Sequence, residues 1–292
     1  MYKQIAENRR RTVFIVIGFV LVIGAIAGVF AWFYRDPWVA VWTTLAAIIY
    51  ALIQYYFAGN IAMMMTGAKE VTKKDNPRLY NIVENLSITT GLPMPKVYII
   101  DDKAPNAFAT GRDPKHAAVA ATVGLLDIMD DKELTAVMAH EMSHVKNYDI
   151  RVSMIVFGLV CVVGLMSDLG FRFMYYGNRR RDNEGAPLGY AIILIVAILA
   201  PIFASVAQMA VSRQREYLAD ASAVNITRYP EGMIAALKKL QSHAQPMRSQ
   251  NIATEAMYIN NPLRKGFLSN LFSSHPPIEK RIERLEHGKQ TF

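Results

Sequence analysis

His140-Glu141-Met142-Ser143-His144 is the stretch from which the rest of the chain is read. Ahead of it, Asp130 and Asp131 precede apolar residues Leu134, Val137 and Met138 at helical spacing, so a capped helix running to about Asn147 is predicted. On a helix, a spacing of four stacks both imidazoles on one face, where a single ion takes a nitrogen from each. Glu141 lies about 100° round from His140 and reaches a water on that ion without being a ligand. The bland alternative is two solvated histidines beside a glutamate, which the helical setting disfavours.

A hydrolytic site of this kind needs a third protein ligand and keeps one position for water. Glu216-Tyr217-Leu218-Ala219-Asp220 offers two carboxylates four apart on one helical face. Glu216 is the candidate ligand, and Asp220 can accept the second ring N–H of a bound histidine and fix its tautomer. By itself the pattern is weak, because Arg213 and Arg215 could simply pair with these acids.

The distribution of charge shows how the two stretches meet. The chain has 292 residues, 52% of them hydrophobic, with 32 Lys+Arg, 24 Asp+Glu and a net charge of +8. No charge falls in residues 12–34, 37–58, 152–167 or 185–212. Since about 20 apolar residues cross ~30 Å of hydrocarbon, windows one, two and four are long enough to span. The third is short unless the chain to about residue 172 extends it or holds it at the interface. About four transmembrane helices in two hairpins are expected, one hairpin at about 12–34 and 37–58, the other at about 152–172 and 188–212. The first window reads as an anchor, since its run exceeds the ~7–15-residue core of a cleavable signal. This mosaic excludes a wholly soluble enzyme and a disordered chain. One cysteine, Cys161 in an apolar window, excludes a disulfide scaffold.

Lys3, Arg9, Arg10 and Arg11 before the first window, with Lys69, Lys73, Lys74 and Arg78 after the second, place both ends of the first hairpin in the cytoplasm. Arg172, Arg179, Arg180 and Arg181 disagree, since a crossing second hairpin puts them outside. Either the first hairpin dominates or the second does not fully cross. The net positive charge suits an anionic lipid leaflet, and no nucleic-acid-binding module is visible. His144 stands eight residues before window three and Glu216 four after window four. A hairpin entering and leaving on one side of the bilayer brings them together.

The chain therefore divides into a transmembrane hairpin (1–58), a first aqueous part with the histidine helix (59–151), a second hairpin (152–212) and a second aqueous part with the third ligand (213–292). Between them the aqueous parts supply one α+β module, mainly helical with a small sheet. A helix from Asn76-Pro77 to Gly91, strands at Lys96–Ile100 and Ala117–Val123, and helices through Arg213 to about Asn225, Glu231–Leu240 and Pro277–Leu285 are predicted. Residues 245–274 read as mixed loop and short helix.

Five stretches resemble the HtpX-type membrane zinc metalloproteases, relatives of the CAAX prenyl proteases and the gluzincins. They are Asn106-Ala107-Phe108-Ala109-Thr110-Gly111, Thr122-Val123-Gly124-Leu125-Leu126, Ala139 to His144, Ser212 to Asp220, and Ser274-His275-Pro276-Pro277-Ile278-Glu279-Lys280-Arg281. They span most of the chain in the family's order. Ser274, where the family often has Thr, is a mild departure. The resemblance implies a gluzincin-like module and one Zn2+ per chain held by His140, His144 and Glu216, with Glu141 as base. It implies substrate backbone bound by strand addition near Asn106, Ala107, Phe108 and Ala109, or at Ala117–Val123. It further implies that His275 and Arg281 support the site, although for His275 a helix-start residue before Pro276 is an equal alternative. The implied enzyme is a multi-pass endopeptidase of the cell membrane facing the cytoplasm, whose partners are membrane-protein substrates and the bilayer. A prenyl-peptide processing protease and a non-enzymatic metal-containing scaffold are the rival readings. Four windows argue for a shallower site than the first, and a base beside three ligands argues against the second. Oligomeric state is not encoded in any pattern found.

Overall fold

Short-range signals set most element boundaries in this computed structural model, which describes residues 36–155, 157–158, 213–248, 257–259 and 276–288 with single positions 10, 17, 28, 31 and 161. Asp36 caps α1 (Pro37–Met65), its carboxylate accepting from Trp38 N at 2.9 Å. After β1 (Lys69–Glu70), Asn76 caps α2 (Pro77–Thr90), which closes at a left-handed Gly91. Strands β2 (Lys96–Ile100), β3 (Ala107–Gly111) and β4 (Ala117–Thr122) follow. The Thr122 hydroxyl accepts from Leu125 N and caps α3 (Val123–Ile128), so β4 stops one residue short of the expected Val123. Then come α4 (Asp131–Lys146), α5 (Arg213–Thr227), α6 (Pro230–Ser242) and α7 (Ile278–Gly288).

The described chain is mainly helical with one mixed sheet, ordered β1-β2-β4-β3. β2 and β4 run parallel, while β1 against β2 and β3 against β4 are antiparallel. β3 is therefore an edge strand although it lies between β2 and β4 in sequence. Gly111 ends it with φ 135, and a Cβ there would collide with the His116 carbonyl, so the turn into β4 requires glycine.

β4 is built from Ala117, Ala118, Val119, Ala120, Ala121 and Thr122, small side chains that let layers approach from both faces. On one face Ala107, Ala109, Val119 and Ala121 pack with α2, α4 and α6 through Leu79, Val83, Leu134, Met138 and Leu237. On the other, Phe108 and Ala120 meet Ala62 and Met63 from the end of α1, with Met154 and Phe157. α4 is the centre of the first layer, with Leu134, Val137, Met138 and Met142 fully buried.

Among the described residues, no helix is long and apolar enough to cross a membrane. Window four falls outside the described residues, window one is described only at 17, 28 and 31, and window three only at 152–155, 157–158 and 161. Window two forms the start of α1, where Trp38 and Trp42 are each 65% exposed, with Leu45, Ile49, Leu52 and Phe57 also turned outward.

α4 begins in a capping box: Asp130 accepts from Glu133 N, and Glu133 accepts from Asp130 N, both at 2.8 Å. Asp130→Ala is expected to cost about 1 kcal/mol and to lower the thermal midpoint of the solubilised protein. An unchanged midpoint would show that tertiary packing alone fixes the start of this helix.

Candidate metal centre

α4 and α5 lie against each other in the buried layer, and their facing sides carry polar groups instead of leucines. His140, Glu141, Glu216 and Asp220 are all buried, and His144 is partly so. His140 Nε2 and His144 Nε2 are 3.2 Å apart. Glu216 Oε2 is 3.7 Å from the first and Glu216 Oε1 3.5 Å from the second. The two rings meet at 87°. Ligand atoms ~2.0–2.2 Å from a tetrahedral ion stand roughly 3.3–3.5 Å from one another. The triangle formed by these three side chains is thus close to a metal's own.

The remaining ring nitrogens settle which atoms converge. His140 Nδ1 lies 2.9 Å from Asp220 Oδ1, and His144 Nδ1 lies 3.0 Å from Asp149 Oδ2. With each Nδ1–H donating to its carboxylate, both Nε2 atoms turn lone pairs towards each other and towards Glu216. In that neutral form the lone pairs and the carboxylate repel one another, and a positive charge, either a proton on His144 or a metal ion between the three, removes the repulsion.

Each aspartate is held in turn by an arginine. Arg281, fully buried on α7, grips Asp220 with two bonds, Nε to Oδ2 at 2.9 Å and Nη2 to Oδ1 at 2.6 Å. Arg215 Nη1 lies 3.2 Å from Asp149 Oδ1. Four carboxylates, Glu141, Asp149, Glu216 and Asp220, face two guanidinium groups. Among the described residues, and with both imidazoles neutral, the carboxylates outnumber the guanidinium groups by two, a balance that favours a divalent cation in a buried site. Burial, aided by Arg281, pushes His140 down to about 4 against the pull of Asp220, so the ring is neutral. Burial acts the same way on His144 but is outweighed by Asp149, Glu216 and Glu141, which raise it to about 9. Burial would raise Asp220, yet Arg281 and the His140 hydrogen bond hold it down at about 2, fully ionised. The field that favours a proton on His144 equally favours a metal. Two imidazoles and a carboxylate are also the donor set of hydrolytic zinc sites, so these residues fit the metal.

Asp149 reaches His144 through a local turn. α4 ends at Asn147, and Tyr148 takes a left-handed conformation, φ 61, uncommon for a bulky residue. The Arg151 guanidinium sits 5.0 Å from the centre of the Tyr148 ring. Helix resumes over 149–155, with Asp149 turned back beside the end of α4.

Of the residues singled out in the sequence, His140, Glu141, His144, Glu216, Asp220 and Arg281 come together here. Ala109 lines the same cleft as Glu141, His144 and Glu216. Ala107, Phe108 and Ala109 lie on edge strand β3, and Asn106 precedes it, its N–H donating to the Thr122 hydroxyl at 2.9 Å. His275 lies outside the described residues. Asp149 was not anticipated, and Arg215 pairs with it instead of simply pairing with Glu216 or Asp220. The available signal was an acid five residues beyond the second histidine, but only the turn at Tyr148 gives it meaning.

Comparison with known proteins bears on the whole chain. Residues 73–289 match the model of Peptidase family M48. A protein named Protease HtpX homolog from Tropheryma whipplei (strain TW08/27) is 54% identical over 291 residues, covering 99% of each chain. Its namesake from Lactobacillus acidophilus is 46% identical over 297 residues, 98% of this chain and 99% of that one. The crystal structure of S. mikatae Ste24p aligns with a TM-score of 0.52 at 19% identity, over 98% of this chain and 67% of that chain, a likeness of fold.

Asp149→Ala removes the acceptor that orients His144, and metal affinity is expected to fall roughly 10- to 100-fold. Chelator competition on the purified variant measures this, and wild-type affinity would rule out an orienting role for Asp149.

Proposed function

This chain belongs to peptidase family M48, and from that membership we propose a membrane-bound zinc endopeptidase that cleaves misfolded or damaged membrane proteins at the centre formed by α4 and α5. The observation that carries the proposal is the convergence of His140 Nε2, His144 Nε2 and a Glu216 carboxylate, with Glu141 alongside in one cleft. The ligands are these three, with one zinc per chain. Bound zinc supplies a Lewis acid that lowers the pKa of water towards ~7 and polarises a carbonyl.

The protein groups do the rest. Glu141 takes the proton of the attacking water and returns it to the leaving amine. Asp220 and Asp149 keep the histidine protons on Nδ1, so both Nε2 atoms stay available. Arg281 Nη1 is buried without a hydrogen-bond partner, 3.9 Å from Glu216 Oε2, and is a donor in reserve for charge developing on the substrate. His275, six residues earlier, is assigned to the same task. Asn106 and the edge of β3 at Ala107, Phe108 and Ala109 bind the substrate backbone as an added strand, which lies beside Glu141 because Ala109 lines the cleft.

Membrane anchorage rests on the four charge-free windows and on the outward apolar face of α1, a contiguous patch that water disfavours. We place the protease module on the cytoplasmic side of the cell membrane, as the lysines and arginines flanking the first hairpin indicate. The division into two hairpins and two halves of one module, with boundaries near 58, 151 and 212, belongs to the same proposal.

Glu141→Gln is expected to retain zinc and lose roughly 10²- to 10⁴-fold in turnover, whereas Glu216→Ala is expected to lose the metal. Undiminished cleavage of an unfolded membrane protein by the first variant, or stoichiometric zinc in the second, would refute the assignments. After an alkaline carbonate wash the chain should stay with the membrane pellet, and release into the supernatant would refute the spans.

A further inference from the structure

Edge strand β3 does not stand open along its whole length. Tyr258 forms an antiparallel bridge with Phe108, and Ile259 N donates to Ala107 O at 2.9 Å. The Tyr258 ring packs edge-on against Phe108 with centroids 4.9 Å apart and is fully buried. Ile259 points to the opposite face and joins the core around α4, while Met257 lines the cleft with Ala109, Glu141, His144 and Glu216. A three-residue stretch of the chain, bridged antiparallel at Tyr258, thus covers part of the strand assigned above to substrate, and its Met257 lines the same cleft as Glu141.

Resting on that reading of the site, we infer that Met257–Ile259 is an internal occupant of the substrate strand position, and that a substrate enters by displacing it with an extended segment apolar at three successive positions, the middle one aromatic. Removing Tyr258 uncovers Phe108, and removing Ile259 uncovers the layer around α4. Only an incoming strand with apolar side chains on both faces restores that burial. Segments of this kind are hidden in folded soluble proteins and exposed in unfolded ones or in membrane proteins.

A cross-link across the bridge tests the inference. Opposed residues of a non-hydrogen-bonded antiparallel pair stand about 4.5 Å apart at Cα, within reach of a disulfide. The zinc-loaded full chain carrying Phe108→Cys and Tyr258→Cys, with Cys161→Ala, is assayed on an unfolded membrane protein before and after reduction. Oxidation is expected to slow cleavage at least ~10-fold relative to the reduced form, with zinc content unchanged, and equal rates would overturn the inference. Should the reduced variant fail to fold, Glu141→Gln protein decides. Adding substrate should speed hydrogen exchange at the Ile259 amide, and unaltered protection overturns the inference. Wild-type protein that binds zinc yet cleaves nothing would instead refute the peptidase assignment, leaving the two failures distinct.

Discussion

Two relays of the same composition reach the centre from different parts of the chain: Arg281 to Asp220 to His140, and Arg215 to Asp149 to His144. Nearly everything else in the described structure follows from the need to bury them together. A carboxylate alone in a packed core is costly, and so is an arginine. Joined in series they satisfy one another and leave two nitrogen lone pairs and one carboxylate facing a common point. α5 contributes Arg215, Glu216 and Asp220 within two turns, so one helix serves both relays and the ligand triangle. α7 is drawn in because Arg281 must be buried to reach Asp220. Its other apolar residues, Ile282 and Leu285, close the same core.

The sheet answers a different demand. Binding of substrate by strand addition, as proposed, needs a strand edge close to Glu141, and the order β1-β2-β4-β3 puts the strand nearest α4 at the edge. Alanines along β3 and β4 let that edge sit low over the helix. The opposite face of the sheet packs on the end of α1, so the strand proposed to take substrate lies close to that apolar helix.

How much of this could be read beforehand depended on how local each signal was. The Asp130 cap, Asn76-Pro77, Gly91 and the His-x-x-x-His spacing act within one or two helical turns, and their elements appear where the pattern puts them. Glu216 and Asp220 were legible because both lie on one helical face. β3 was not legible from its residues, since Ala107-Phe108-Ala109-Thr110-Gly111 is poor in branched side chains and gains its strand character from pairing with β4. Asp149 was missed because its role depends on a backbone conformation that no periodicity announces. Tyr258 was missed because a single bridge in a stretch read as loop has no sequence signature. The charge-free windows expected to span a membrane fall mostly outside the described residues.

The left-handed turn at Tyr148 has a mechanical consequence. Asp149, the residue that steadies His144, is the first residue of the helical arm at 149–155, which runs into the third charge-free window. His144 thus stands on α4, and the carboxylate it pairs with stands on the separate helical arm that follows the turn. His144 and Asp149 are thus carried by two helical segments joined at Tyr148, so a change in the angle between those segments changes the 3.0 Å contact between His144 Nδ1 and Asp149 Oδ2.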